Sequence, residues 1–172
     1  TAALRSAGFT SSSIISSKGA VNFAYNLYLT LRNDPSIPST DVKRWVQRWY
    51  VMSVLTGRYS GSSESIMDRD IRSISEQGFI AFYNEIVASQ LSDTFWEVGL
   101  PQNLITTSTR SAAWMVYVAS QVRSVDNTLF TSGFKVADVI GNVGDIHHIF
   151  PKAYLRKEIN ASQRLYLSLI HI

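Results

Sequence analysis

The sequence has no cysteine, and only four prolines and three histidines among its 172 residues. The missing thiols exclude disulfide bridges and thiolate metal sites together. A transition-metal site in this chain must therefore be built from His, Asp, Glu or Asn. The absence also fits a reducing compartment. Long apolar runs are missing too: the longest, near Ala112 to Ala119, is far short of the roughly 20 residues of a membrane span. No charged-then-apolar leader opens the chain. These absences lead us to expect a soluble, cytoplasmic protein. Charge is modest as well. A net charge of +3 and a pI near 9.3 permit a polyanionic partner without demanding one.

What is present is apolar and aromatic. A hydrophobic fraction of 45% and an aromatic fraction of 12% exclude a disordered chain and are sufficient for a real core. The chain opens on Thr1 and closes on the apolar "RLYLSLIHI", so we expect it to be a fragment of a longer protein.

Helical periodicity covers most of the length. From Ser17 to Leu31 the residues Val21, Phe23, Ala24, Leu27, Tyr28 and Leu31 recur at helical spacing, and "NDPSIPS" then breaks the chain. Ser39 or Thr40 is expected to cap the next helix, with Asp41 in its first turn. Val42, Trp45, Val46 and Trp49 form its buried stripe, and Lys43, Arg44, Gln47 and Arg48 its solvated face. On that stripe Trp45 and Trp49 read as core and not as platforms for bases. After "LTGRYSGSSES" a further helix is expected with Met67, Ile71 and Ile74 inward and Asp68, Arg69, Asp70 and Arg72 outward. Phe79, Phe82, Tyr83, Ile86 and Val87 repeat the pattern, Thr94 and Glu97 suggest a capping box, and "VGLPQN" is expected to end that unit. Ser108 to Val122 is apolar nearly all round and reads as a central helix. Beyond Ser124, glycines 133, 141 and 144 separate short β-branched groups. The expected architecture is therefore mainly α: a helical domain over 1–128, then a small, partly β element over 129–172.

That element holds "DIHHIFP", residues 145–151, with two of the three histidines side by side. Adjacent side chains on a regular strand point to opposite faces. His147 and His148 therefore either divide their work, one toward a metal and one toward substrate, or form a hydrogen-bonded buried histidine beside a surface one, with Asp145 as a turn residue after Gly144. In "GRYSGSSE", Arg58 and Tyr59 lie between two glycines. Arg58 is placed either to contact phosphate or to pair with Glu64 or Asp68.

"DIHHIFPKAYL" resembles the first half of the HNH, or ββα-metal, nuclease motif, in the variant where a metal-binding residue directly precedes His-Ile-x-Pro. The upstream "RWVQRWYVMSVLTGRYSGSSES" and "MDRDI" resemble the helical region before that motif in GmrSD-type restriction endonucleases. Those two-part bacterial proteins cleave modified foreign DNA, with a nucleotide-dependent N-terminal domain and a C-terminal HNH domain. The resemblance runs from about Ala20 to Tyr166. It implies a small, incomplete ββα element at the C-terminus, with His148 as general base, His147 as ligand to a divalent cation (Mg²⁺ or Mn²⁺), and Asp145 as a further candidate ligand. It also implies modified foreign DNA as partner, an N-terminal nucleotide-dependent domain outside this chain, and a family-specific surface at "GRYSGSSE"; Arg58, with its two alternatives, and Lys152 are the candidate nucleic-acid-binding residues. The family pattern takes a second metal ligand from an Asn or His on the helix that closes the motif. Here Asn160 comes too early, and His171 sits in a tail, "LSLIHI", that departs from the pattern. The active centre of this chain is therefore expected to be incomplete. The contrasting expectation is a non-catalytic helical interaction or scaffold module with structural histidines.

Overall fold

The computed structural model describes residues 2–105, 110–128, 133–140 and 157. Among them the chain is mainly helical: α1 (Ala2–Ser6), α2 (Lys18–Arg32), α3 (Ser39–Leu55), α4 (Ser63–Gln77), α5 (Phe79–Gln90), α6 (Leu100–Leu104), α7 (Ala112–Ser124) and α8 (Val136–Ile140). A 3-10 turn at Ser12–Ile14 and a π-helical turn at Phe95–Gly99 complete the set. The β structure among the described residues is one isolated antiparallel bridge, Asn127 to Lys135. No helix among them is long and apolar enough to cross a membrane.

The caps follow side-chain chemistry in some places and overrule expectation in others. The Ser17 hydroxyl accepts from the Ala20 amide at 3.1 Å and starts α2; the Ser111 hydroxyl does the same for Trp114 at 3.1 Å and starts α7. At α3 the residue before the helix is Pro38, in extended geometry and without a side-chain cap, so Ser39 and Thr40 both lie inside the helix. Thr94 is also already helical, at φ −59 and ψ −36, which an N-cap is not. The Phe95 amide donates instead to the Ser92 hydroxyl at 3.4 Å. "VGLPQN" does not end the unit: the helical run continues through the π-turn into α6, with Pro101 near the start of α6.

The central helix is α3, not α7. Over its C-terminal half Trp49, Tyr50, Met52, Ser53 and Val54 are all buried, so that half is surrounded, with α1, α2 and α7 packed against α3. By contrast α7 buries one stripe, Ala113, Met115, Val118 and Ala119, and exposes Tyr117, Ser120 and Arg123. An apolar composition all round does not by itself enclose a helix; neighbours on every side do. On α2 the buried set is Ala20, Phe23, Ala24, Leu27 and Leu31, close to the expected face, with Tyr28 exposed.

Around Trp49 the aromatic rings form one nest. Phe23 lies 5.7 Å from it, Phe82 5.2 Å and Phe79 6.3 Å, while the half-buried Trp45 meets Phe79 and Tyr83 edge-on at 5.7 and 5.0 Å. Both tryptophans therefore serve the core. Past α7, the Val136 amide donates to the Asp126 carbonyl at 3.0 Å, and Val136 is buried in the same core cluster. The Asp138 carboxylate accepts from the Lys135 amide at 2.9 Å, closing the first turn of α8.

Gly8, in the segment between α1 and the 3-10 turn, fixes how closely that segment approaches α7. Its φ is +97, and a Cβ there would lie 1.8 Å from the Ala119 carbonyl oxygen, so only glycine lets the two backbones approach. Gly8→Ala is expected to cost at least about 1–3 kcal/mol from the strained φ alone, with the clash adding to it. A urea midpoint equal to wild type would contradict this close approach.

Candidate functional site

The segment that links α3 to α4 is built around a buried charge. Gly57, at φ +64, turns the chain out of α3, and the Arg58 amide returns a hydrogen bond to the Ser53 carbonyl at 3.0 Å. Tyr59 then turns inward and stacks on Phe23, with ring centroids 4.9 Å apart. Gly19 on α2 admits the loop, since a Cβ there would sit 3.0 Å from the Tyr59 carbonyl oxygen.

At the centre is Asp70 of α4. Arg58 Nε donates to its Oδ2 at 2.8 Å, Arg58 Nη2 donates to Oδ1, and the Tyr59 hydroxyl donates to Oδ2 at 2.8 Å. Trp49 Nε1 in turn donates to the Tyr59 oxygen at 3.2 Å. The guanidinium lies 5.6 Å over the Trp49 ring and 6.0 Å from that of Phe82. The Arg58 and Asp70 side chains are only 9% and 1% exposed. This is a two-point pair, with a third hydrogen bond to the carboxylate from Tyr59, and it braces α3, the 57–61 loop and α4 together.

The geometry corrects two expectations. Arg58 pairs with Asp70, not with Glu64 or Asp68. On α4 it is Asp70 that points inward while Ile71 is 46% exposed. Positions 67, 70 and 74 share a helix face, and a buried carboxylate must take the place nearest its cation; pairing Arg58 therefore rotates the helix and turns Ile71 out. The signal was available in part, because Asp70 stands between Met67 and Ile74 on the apolar stripe. The roles of Tyr59 and of the Trp49 indole N–H carried no sequence signal.

Burial alone opposes charge on Arg58, but the hydrogen bonds and negative charge of Asp70, with smaller contributions from Tyr59, more than offset it, so its pKa lies above the ordinary value. Burial raises the Tyr59 hydroxyl well above its usual range, with the charge and hydrogen bond of Asp70 acting in the same direction. Burial also pushes the Tyr50 hydroxyl up to about 12. Among the described residues, the Tyr50 and Ser53 hydroxyls are buried without a hydrogen-bond partner.

The other residues nominated from sequence, Asp145, His147, His148 and Lys152, lie outside the described residues, as do Asn160 and His171. Among the described residues, no group of three or more His, Cys, Asp or Glu is placed to hold a metal; none of the chain's three histidines falls within them. No protein-family model, curated protein or solved structure matches the chain.

Two outcomes follow from the buried network. Arg58→Ala, which leaves the Asp70 carboxylate buried and unpaired, is expected to cost about 3–5 kcal/mol, and Arg58→Met combined with Asp70→Leu to cost less than either single change. Urea unfolding checks both, and a loss below about 1 kcal/mol in Arg58→Ala would show that the pair is no brace. For the tyrosines, a raised pKa means that the folded protein keeps the phenol proton after the unfolded chain, with its value near 10.0, has released it. Stability is then whole below pH 10 and declines as pH rises beyond it, by up to about 1.4 kcal/mol per pH unit for each tyrosine. Tyr50→Phe should flatten that decline between pH 10 and 12; identical slopes in wild type and variant would contradict the assignment.

Proposed function

We propose that the chain is part of a GmrSD-like, modification-dependent restriction endonuclease that hydrolyses DNA phosphodiester bonds, with "DIHHIFP" at residues 145–151 as the first half of its HNH motif. The observation that carries this reading is the sequence itself: adjacent histidines directly before Ile-x-Pro, downstream of "GRYSGSSES". A mainly helical body before the motif agrees with the same reading. The reading extends to a ββα element within residues 129–172, to modified foreign DNA as substrate, and to a nucleotide-dependent partner domain.

The chemistry divides between the two imidazoles. An imidazole with an ordinary pKa near 6.5 is largely neutral at cellular pH and accepts a proton. In this reading His148 takes a proton from water as the water oxygen bonds to phosphorus and the bond to the leaving oxygen breaks. His147, with Asp145, offers an imidazole and a carboxylate, a donor set suited to Mn²⁺ or Mg²⁺ and free of competing thiolates. Such a cation, when bound, supplies positive charge against the phosphate. Lys152, one residue beyond Pro151, is placed by the motif to contact the DNA backbone.

A second reading, a helical interaction module with structural histidines, is favoured by the exposed Tyr25, Tyr28 and Leu29 on the outer face of α2. Plasmid nicking by the full gene product in Mg²⁺ and Mn²⁺ separates the two. His148→Ala is expected to lower cleavage by about 10²- to 10⁴-fold with an unchanged circular dichroism spectrum, and His147→Ala to raise the Mn²⁺ concentration needed for half-maximal cleavage. Equal cleavage by wild type and His148→Ala would remove the general-base assignment.

A further inference from the structure

The face of α3 that the sequence presents as merely solvated becomes one wall of a cleft. Between α3, α7, the end of α5 and the π-turn lies a cavity of about 410 Å³. Arg44 and Arg48, one helical turn apart on α3, line it from one side, and Arg123 at the end of α7 lines it from the other. Trp96 and Tyr83 contribute aromatic surface, and the described lining residues include no carboxylate.

The three guanidinium groups are differently held. Arg44 has an exposed partner in Asp41 at 3.6 Å, a pair of the kind that neutralises little. Arg44 and Arg48 each lie 5.6 Å over the Trp45 ring, which orients both groups and leaves their charge available. Arg48 and Arg123 make no ion pair among the described residues. Like charges gathered in a concave wall raise the local potential for an anion.

Trp96 is the second, independent observation. It is 47% exposed and stands on the π-helical turn Phe95–Gly99, with Phe95 edge-on at 5.1 Å. A π-turn is rare and locally unfavourable, and it re-aims the side chains it carries. Here it leaves a large indole half open to solvent at the rim of an arginine-lined cleft. Cations that follow a phosphate chain, interleaved with a flat ring on which a base can stack, are the chemistry of single-stranded nucleic acid binding.

We infer that the α3–α7 cleft binds a stretch of single-stranded nucleic acid, with Arg48 and Arg123 on its phosphates and Trp96 stacked on a base. The inference stands apart from the histidine chemistry, because binding here needs no metal and no cleavage.

The test is fluorescence anisotropy of the 172-residue chain with a short fluorescein-labelled oligothymidylate in EDTA, over a series of salt concentrations. Arg48→Ala and Arg123→Ala are each expected to weaken binding and to reduce the log–log salt slope by about 0.7. Trp96→Ala is expected to weaken it roughly 5- to 150-fold at constant salt slope, and Trp96→Phe to restore most of the loss. Arg48 and Arg123 are exposed, so the thermal midpoints of their alanine variants should stay near the wild-type value. Trp96→Ala removes a half-buried indole and should lower its own midpoint, so its loss of binding is read beside Trp96→Phe, which keeps a ring there. Lys43, on α3 but outside this cleft, is the control, and Lys43→Ala should change little. A loss in Lys43→Ala as large as in Arg123→Ala, or no loss in Trp96→Ala, would overturn the site. Competition by free thymidine monophosphate as effective, per nucleotide, as unlabelled oligothymidylate would assign the cleft to a free nucleotide and overturn the single-strand proposal.

Discussion

A carboxylate taken out of water loses hydration worth several kcal/mol, roughly, even after the protein relaxes around it. Asp70 is almost wholly buried, and much of the packing on this side of the molecule answers to that cost. The Arg58 fork has to reach it, so the 57–61 loop folds back against α4. Tyr59 has to donate to it, so its ring goes under the loop and onto Phe23. That ring position requires a glycine at 19 on α2, where a side chain would press on the Tyr59 backbone. The Trp49 indole N–H completes the chain of hydrogen bonds and ties it to the middle of α3. One charge pair thus connects α2, α3 and α4, three helices that apolar packing alone would leave freer to slide.

The same arrangement separates two roles for arginine in this chain. Arg58 is consumed by the fold: its Nε and Nη2 donate to Asp70, and the guanidinium lies near Trp49 and Phe82. Arg44 and Arg48 keep their heads outside, resting on Trp45, where the ring lowers the conformational freedom of a long side chain without cancelling its charge. A modest net charge of +3 can therefore produce a locally basic surface, because one arginine is withdrawn into the core and others converge from α3 and α7. Electrostatic character here is a matter of placement more than of total.

The functional readings rest on different parts of the chain. The nuclease proposal rests on a seven-residue string whose residues lie outside those the structure describes, and on the resemblance of the helical stretch before it. The cleft is formed by residues distant in the chain, from α3, the π-turn and α7, and no motif announces it. The "GRYSG" segment, whose Arg58 the sequence offers as a phosphate contact, has a structural task in the fold, because its arginine and tyrosine close a buried network.

The sequence by itself determined the helices and most of their faces. Periodicity sets α2, α3, α5 and α7, because burying an apolar stripe requires the same 3.6-residue repeat whatever the neighbours are. It also identified Trp49 as core, since that residue falls on the stripe of α3. What it did not determine is anything decided by contact between helices. Asp70 and Ile71 exchange their expected sides because Arg58 arrives from a different segment. The central position falls to α3 and not to the more apolar α7, because enclosure depends on how many elements surround a helix. Gly8 and Gly19 matter because another backbone lies within reach of the Cβ they lack. Arg123 joins Arg48 across a cleft although 75 positions separate them in the chain. Local propensity and spacing are properties of a segment and can be read there, whereas these choices minimise unpaired charge and empty space between segments, and they have no value until the chain has folded.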